Sequence, residues 1–330
     1  MEMLNNHCGV TRDARGVVHV AICNAGSLNI LGSPVTDAVR EGLQQLSSDR
    51  SIRVVVLRGQ SEKSMIGGAD IKEMARLDQK SAEAFISRLR DLCEAVRAFP
   101  APMIARMPGW CLGGGLEVAA ACDFRIAAHD AHFGMPEVRV GIPSVIHAAL
   151  LPRLIGWARA RWLVMTAENI DAPTALAWGL VDKVAPEGGL DAEVEHLVKA
   201  LLECGPEALR SQKALLRQWE ELPLTESVNL SVKVFGESFL TDEPTRLMSA
   251  FVNRKRQAPQ RRCHAPRKRG IQYSGRHRFN HNRLGVLDRP PARAMTARCG
   301  TTSSARTTKS HASHKIFSCP TQLHFLRRII

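Results

Sequence analysis

"GWCLGGGLEVAAACDFRIAAHDAHFGMPEVRVGIP", residues 109–143, sets three glycines at the mouth of an apolar helical run and plants one carboxylate, Glu117, inside it. Glycines at a helix entrance let another molecule approach the backbone, and first-turn N–H groups have no intrahelical acceptor. With the helix dipole added, the amide of Gly113, Gly114 or Gly115 suits a carbonyl oxygen that becomes an oxyanion. Glu117 lies about one turn further in, flanked by Leu116 and by Val118, Ala119, Ala120 and Ala121. A carboxyl there loses hydration, its pKa rises, and it becomes a candidate general acid or base. A purely architectural alternative has the glycines packing a helix against a sheet while Glu117 points to solvent. Glu137 follows across one short strand, beside Pro136. Two acids beside an oxyanion site suit the addition of water to a polarised double bond, one activating water and the other supplying the proton.

Outward from this stretch, strand and helix alternate. Residues 15–24 ("RGVVHVAICN") and 52–59 ("IRVVVLRG") read as strands. The sequence from Ser33-Pro34 onward reads as a helix, with the serine hydroxyl as cap and proline in the first turn. A long amphipathic helix is predicted over 81–98, ended by Pro100 and Pro102, and short strands at 102–107 and 123–128. The class is therefore α/β with mostly parallel strands. From Leu150 helices dominate, one of them capped by Asp171 and stopped by Gly179.

The net charge of +13 over 330 residues is misleading, because residues 254–330 hold 19 of the 45 Lys and Arg but one of the 32 acids. The preceding 253 residues carry 26 basic and 31 acidic groups and are mildly acidic. Residues 257–330 show neither helical nor strand period and are predicted to be disordered. Nine scattered cysteines without a C-x-x-C pair read as free thiols in a reducing compartment, and no apolar run approaches a membrane span, so a cytoplasmic chain is expected. His129 and His132 lack a third ligand at suitable spacing, so no metal is expected. Trp157, Trp162 and Trp178 read as core or subunit contacts.

The segments "IGGADIKEM" (66–74), the opening stretch and "ENIDAPTALAWGLVDKVAP" (168–186), in this order, closely resemble the enoyl-CoA hydratase/isomerase, or crotonase, superfamily over about residues 17–253. The resemblance implies a spiral of ββα turns over 1–195 and a helical region over 196–256 that builds homotrimers, often paired into hexamers. The basic tail 257–330 lies beyond both. It implies an acyl-CoA thioester as substrate, the coenzyme A entering with it, and no separate cofactor. Matched residue by residue, Ala69 and Gly114 take the positions whose N–H groups hold the thioester oxygen, and Glu117 and Glu137 those of the two catalytic glutamates. Gly68, Ala69, Asp70, Ile71 and Lys72 form one wall of the CoA groove and Ser27 and Leu28 the other, with Gly113 and Pro136 also against the substrate. Both glutamates being present makes enoyl-CoA hydratase the first reading, with an isomerase or another acyl-CoA lyase as alternative. One departure stands out. Where hydratases carry a loop like P-G-A-G-G-T, this chain has "PSVIHAAL", 143–150. Bulky Ile146 and His147 are therefore expected to reshape the acyl pocket, with His147 held neutral at a helix N-terminus. A rival of another class is a scaffold whose arginine-rich tail binds nucleic acid through phosphate contacts.

Overall fold

The computed structural model describes residues Met1–Gln257. The larger of two sheets has seven strands, in the order β1 (Glu2–Asn5), β2 (Cys8–Arg12), β3 (Val17–Ile22), β4 (Val54–Gly59), β6 (Met103–Met107), β8 (Phe124–Ala127) and β11 (Lys183–Val184). The smaller has four, in the order β10 (Ile170–Asp171), β9 (His132–Gly134), β7 (Trp110–Leu112) and β5 (Ser64–Ile66). From β4 to β9 the chain alternates, one strand to the large sheet and the next to the small one, and a helix usually follows. This is the crotonase-type spiral of ββα turns. From β3 onward the large sheet is parallel, whereas β1, β2 and β3 pair antiparallel. Parallel strands covered on both faces read as continuous apolar runs, and Val54, Val55, Val56 and Leu57 of β4 are all completely buried.

Helices α1 (Ser33–Ser47), α2 (Ile71–Met74), α3 (Gln79–Ala98) and α4 (Gly114–Ala121) pack around the first turns. Ser33 is not the cap of α1: Gly32 holds that position, and the Ser33 N–H donates to Glu73 Oε2 at 2.9 Å, so a carboxylate from α2 satisfies the orphan donor. Helix α3 begins two residues earlier than its period alone suggests, because Asp78 and Ser81 form a reciprocal capping box. Helices α5 (Leu151–Ile155), α6 (Trp157–Thr166) and α7 (Ala172–Trp178) follow. Asp171 caps α7, accepting the Thr174 N–H at 2.9 Å, and Gly179 ends it at φ +84°. Then come α8 (Leu190–Leu202), α9 (Pro206–Glu221), α10 (Leu224–Ser238) and α11 (Glu243–Gln257).

One face of the large sheet packs against α8, through Val54, Val56 and Ile104 against Leu190, Val194 and Val198. The boundary expected at 195/196 thus falls inside a helix that covers the sheet. The other core layer lies under α1, α3 and α4. Helix α9 is tied to this body by buried Lys213, whose Nζ sits 2.6 Å from Asp123 and donates to the Ala101 carbonyl at 3.2 Å. Trp157 and Trp162 are exposed, so neither is a core residue, whereas Trp178 packs partly on the core. Among the described residues no helix is long and apolar enough to cross a membrane. The tail expected to be disordered, 257–330, lies outside the described residues beyond Gln257.

Candidate active site

The glycine turn builds the site. Gly113 adopts φ +52°, ψ −127°, a conformation open in practice to glycine alone, and its N–H donates to the Gly134 carbonyl at 2.9 Å. A Cβ on Gly115 would overlap the Ile66 backbone of β5, and one on Gly114 would meet Leu89 of α3. The architectural reading of the glycines therefore holds, but its second half does not. All eight residues of α4 are buried, and Glu117 is only 3% exposed. Gly114 opens the helix, where an N–H has no intrahelical acceptor.

Glu137 starts the 3-10 turn Glu137–Val140, which Gly141 ends at φ +82°. Its carboxylate accepts the Ser144 hydroxyl at 2.9 Å and abuts Gly113, so that a Cβ there would be driven into Oε1. Glu117 accepts the Ala148 N–H at 3.2 Å. Burial pushes the Glu117 carboxyl up to about 8, and the charge of Glu137 adds to this while the Ala148 bond opposes it. Burial also raises Glu137, against its own backbone N–H and Ser144. The two acids are thus close enough to sense each other, and near neutral pH the pair holds a proton. Neither Ser144 nor the Ala148 amide was foreseen. A hydroxyl seven residues beyond Glu137 is a weak signal, and a backbone donor leaves none.

Ala69 forms a parallel bridge with Leu31. The bonds flank it, Leu31 N–H to Gly68 O at 2.9 Å and Asp70 N–H to Leu31 O at 3.1 Å, which turns the Ala69 N–H to the opposite side. A Cβ on Gly68 would lie 3.4 Å from the Leu112 carbonyl, so this bend runs beside the end of β7 that leads into Gly113 and Gly114. Ser27 is exposed and Leu28 half-buried, and the Leu28 carbonyl accepts the Gly67 N–H at 2.7 Å, which seats that loop against the same bend. The Asp70 carboxylate caps α2 through Lys72 N–H at 2.8 Å and Glu73 N–H at 3.2 Å, while the Lys72 side chain is exposed and Ile71 half-buried. Pro136 lies half-buried beside Gly113.

The departing loop differs from its expected form. His147 lies inside the 3-10 turn Ile146–Leu150 that runs directly into α5, and it is buried rather than presented to the pocket as a free side chain. Burial lowers its pKa, and Glu94 opposes the shift. Its Nε2 lies 2.7 Å from Glu94 Oε1, so that nitrogen is engaged by the protein. The ring of His132 stacks on Trp110 with centroids 4.7 Å apart.

A model of the family described as enoyl-CoA hydratase/isomerase matches residues 12–260. The chain belongs to this family. Among relatives of this crotonase-superfamily member, a crotonyl-CoA hydratase from Syntrophomonas wolfei is 32% identical, covering 70% of this chain and 89% of its own. A probable enoyl-CoA hydratase from Bacillus subtilis is 35% identical, covering 69% and 89%. The crystal structure of an enoyl-CoA hydratase from Mycobacterium smegmatis superposes with a TM-score of 0.73 at 28% identity, covering 76% of this chain and 97% of that one.

Proposed function

We propose that this enzyme hydrates 2-enoyl-CoA thioesters, the single supporting observation being two carboxyls, buried Glu117 and half-buried Glu137, with raised pKa values beside the Gly113–Gly114 turn. In this reading the Ala69 and Gly114 N–H groups bind the thioester oxygen. Withdrawing charge toward that oxygen makes C3 electrophilic, and two donors aimed at a developing oxyanion stabilise it most in the transition state. Water held between the carboxyls adds its oxygen to C3 and gives one proton to the ionised acid. The protonated acid delivers its proton to C2. The elements of water are thereby added with no net proton change, and both bonds form on the face that the carboxyls occupy, which is syn addition. Coenzyme A enters as part of the substrate, its binding supported by the Ser27–Leu28 loop and the bend at Gly68, Ala69, Asp70, Ile71 and Lys72.

A panel of 2-enoyl- and 3-enoyl-CoA thioesters tests this directly. Hydration of the 2-enoyl members with no prior shift of the double bond is expected. Conversion of 3-enoyl members alone would replace the reading by an isomerase, and turnover of none would favour a scaffold. A chain ending at Gln257 is expected to keep full turnover, because the core lies within Cys8 to Leu215. Salt-sensitive RNA binding by the 330-residue chain alone would promote the nucleic-acid reading of the tail.

We infer a homotrimer, alone or paired as a hexamer. Support comes from α10, which exposes Val228, Val232 and Phe235 along one face with exposed Phe239 just beyond its end, and from exposed Leu247, Met248, Phe251 and Val252 on α11. Burying each such side chain contributes roughly 1.5–3 kcal/mol. Phe235→Asp is accordingly expected to shift sedimentation from the trimer or hexamer to the 36.3 kDa monomer. An unchanged assembly in this variant would remove α10 from the interface.

A further inference from the structure

The turn that replaces the usual small-residue loop has an awkward backbone. Ile146 adopts φ +41°, where a β-branched residue is an outlier. Such a conformation persists only when surrounding contacts over-determine it. The adjacent His147 supplies one. Its side chain is buried, and its Nε2 lies 2.7 Å from Glu94 Oε1 on α3. Glu94 is held in turn by Arg97 at 3.2 Å from its own helix and by Arg217 at 3.0 Å from α9. Arg97 also pairs with Glu220 on α9, which Arg153 of α5 approaches at 3.9 Å. The buried Nδ1 of His147 has no hydrogen-bond partner. An imidazolium would bury a second N–H without an acceptor, so the ring is neutral with its proton on Nε2, donating to Glu94. The next residue is Ala148, and its N–H reaches Glu117.

We propose that His147 and Glu94 form a positioning pair: the Nε2–H···Oε1 bond pins the strained turn to α3 and thereby keeps the Ala148 N–H on the Glu117 carboxyl. For turnover this rests on the reading of Glu117 as an acid–base group; for the placement of its carboxyl it does not. The groups that bear on Glu117 are Glu137 from the neighbouring 3-10 turn, the Cys93 thiol from α3 and the Ala148 amide. Of these only the amide favours the ionised form, so releasing the turn raises the pH at which Glu117 ionises.

The test uses the full chain and four variants: Glu94→Ala, His147→Leu, the double variant, and His147→Gln, whose amide can still donate to Glu94. Two quantities are read. The first is the infrared band of the protonated Glu117 carboxyl, assigned by its loss in Glu117→Gln and titrated with pH. The second is the pH profile of kcat/KM. In Glu94→Ala and His147→Leu the band is expected to titrate about one pH unit higher, with kcat/KM at neutral pH down roughly tenfold, the size of one charge-assisted hydrogen bond. The double variant is expected to be no worse than either single one, as for partners in one contact, and His147→Gln to recover most of the loss. An unmoved band in the folded single variants, or losses that add in the double, overturns the proposal. Should His147→Leu fail to fold, Glu94→Ala decides, since that side chain is 42% exposed and its removal leaves no cavity in the core. Full turnover by Glu117→Gln would remove the hydratase reading, and the infrared titration of the other variants would still decide the positioning.

Discussion

Replacing Glu117 by Gln is expected to lower kcat by ~10²–10⁴, the range for a positioned acid–base group, with little change in coenzyme A affinity. Gln keeps the shape and still accepts the Ala148 N–H, so the loss isolates the proton chemistry. The same variant has a second, opposite signature. In the folded chain the Glu117 carboxyl is raised from 4.5 to about 8. Because the folded pKa is the higher one, the native state binds this proton more tightly than the unfolded chain does. Its contribution to stability is complete below the unfolded value and is lost as pH rises through the folded value. Gln has no proton to lose. The variant is therefore expected to match the parent near about pH 4 and to exceed it, by on the order of a few kcal/mol, above about pH 8. Urea unfolding at the two pH values, alongside turnover, checks both halves. Retained turnover would remove the acid–base role, and an unchanged pH dependence of stability would show that Glu117 is not buried in the resting chain.

Gly113→Ala is expected to lower kcat by at least ~10²-fold, through the carboxylate that the new methyl group strikes. Two costs arise at this position. The backbone, at φ +52° and ψ −127°, is closed to a residue with a Cβ, and the added atom would collide with Glu137 Oε1. Strain of this kind costs about 1–3 kcal/mol. Gly188→Ala separates the two. Gly188 also has a positive φ, +66°, but a Cβ there would meet nothing within 4 Å. That control should lose stability and keep turnover, whereas Gly113→Ala should lose both. If Gly113→Ala behaved like the control, the position of Glu137 would not matter to the reaction.

The parallel strands β3, β4, β6 and β8 were legible because each carries an apolar run, as at 54–57 and 103–105, whereas β11, two residues long, was not. The small sheet was not, because Ser64–Ile66, Trp110–Leu112 and His132–Gly134 have three residues each, too few to show a period. The opening hairpin was missed as well, since Glu2–Asn5 is half polar and exposed. At the site, the motif residues were readable one by one, but the contacts that tune them were not. Glu94 lies on an ordinary amphipathic helix, 53 residues from its partner His147. No local pattern distinguishes it from the acids of α3 that face water. Ser33 shows the converse failure. Its type and place fit a cap, yet it is the first residue of α1, and both its N–H and its hydroxyl donate to Glu73, 40 residues away, so its oxygen is turned to a distant acceptor that no local pattern reveals.

The alternation of strands between two sheets also governs how the chain must assemble. Beyond the opening hairpins, no strand of the large sheet pairs with the one that precedes it in the chain, apart from β3 with β4, and even there Val17 meets Val54 across α1. Val55 then waits for Met103, and Ile126 for Lys183. Each pairing closes a loop of tens of residues before it gains any ladder hydrogen bonds, which places folding toward the slow, millisecond-to-second end of the range for single domains. During synthesis β4 leaves the ribosome before β6 exists, with an unpaired parallel edge of valines. Nascent chains ending between residues 60 and 100 are thus the ones most exposed to edge-to-edge aggregation and most in need of a chaperone.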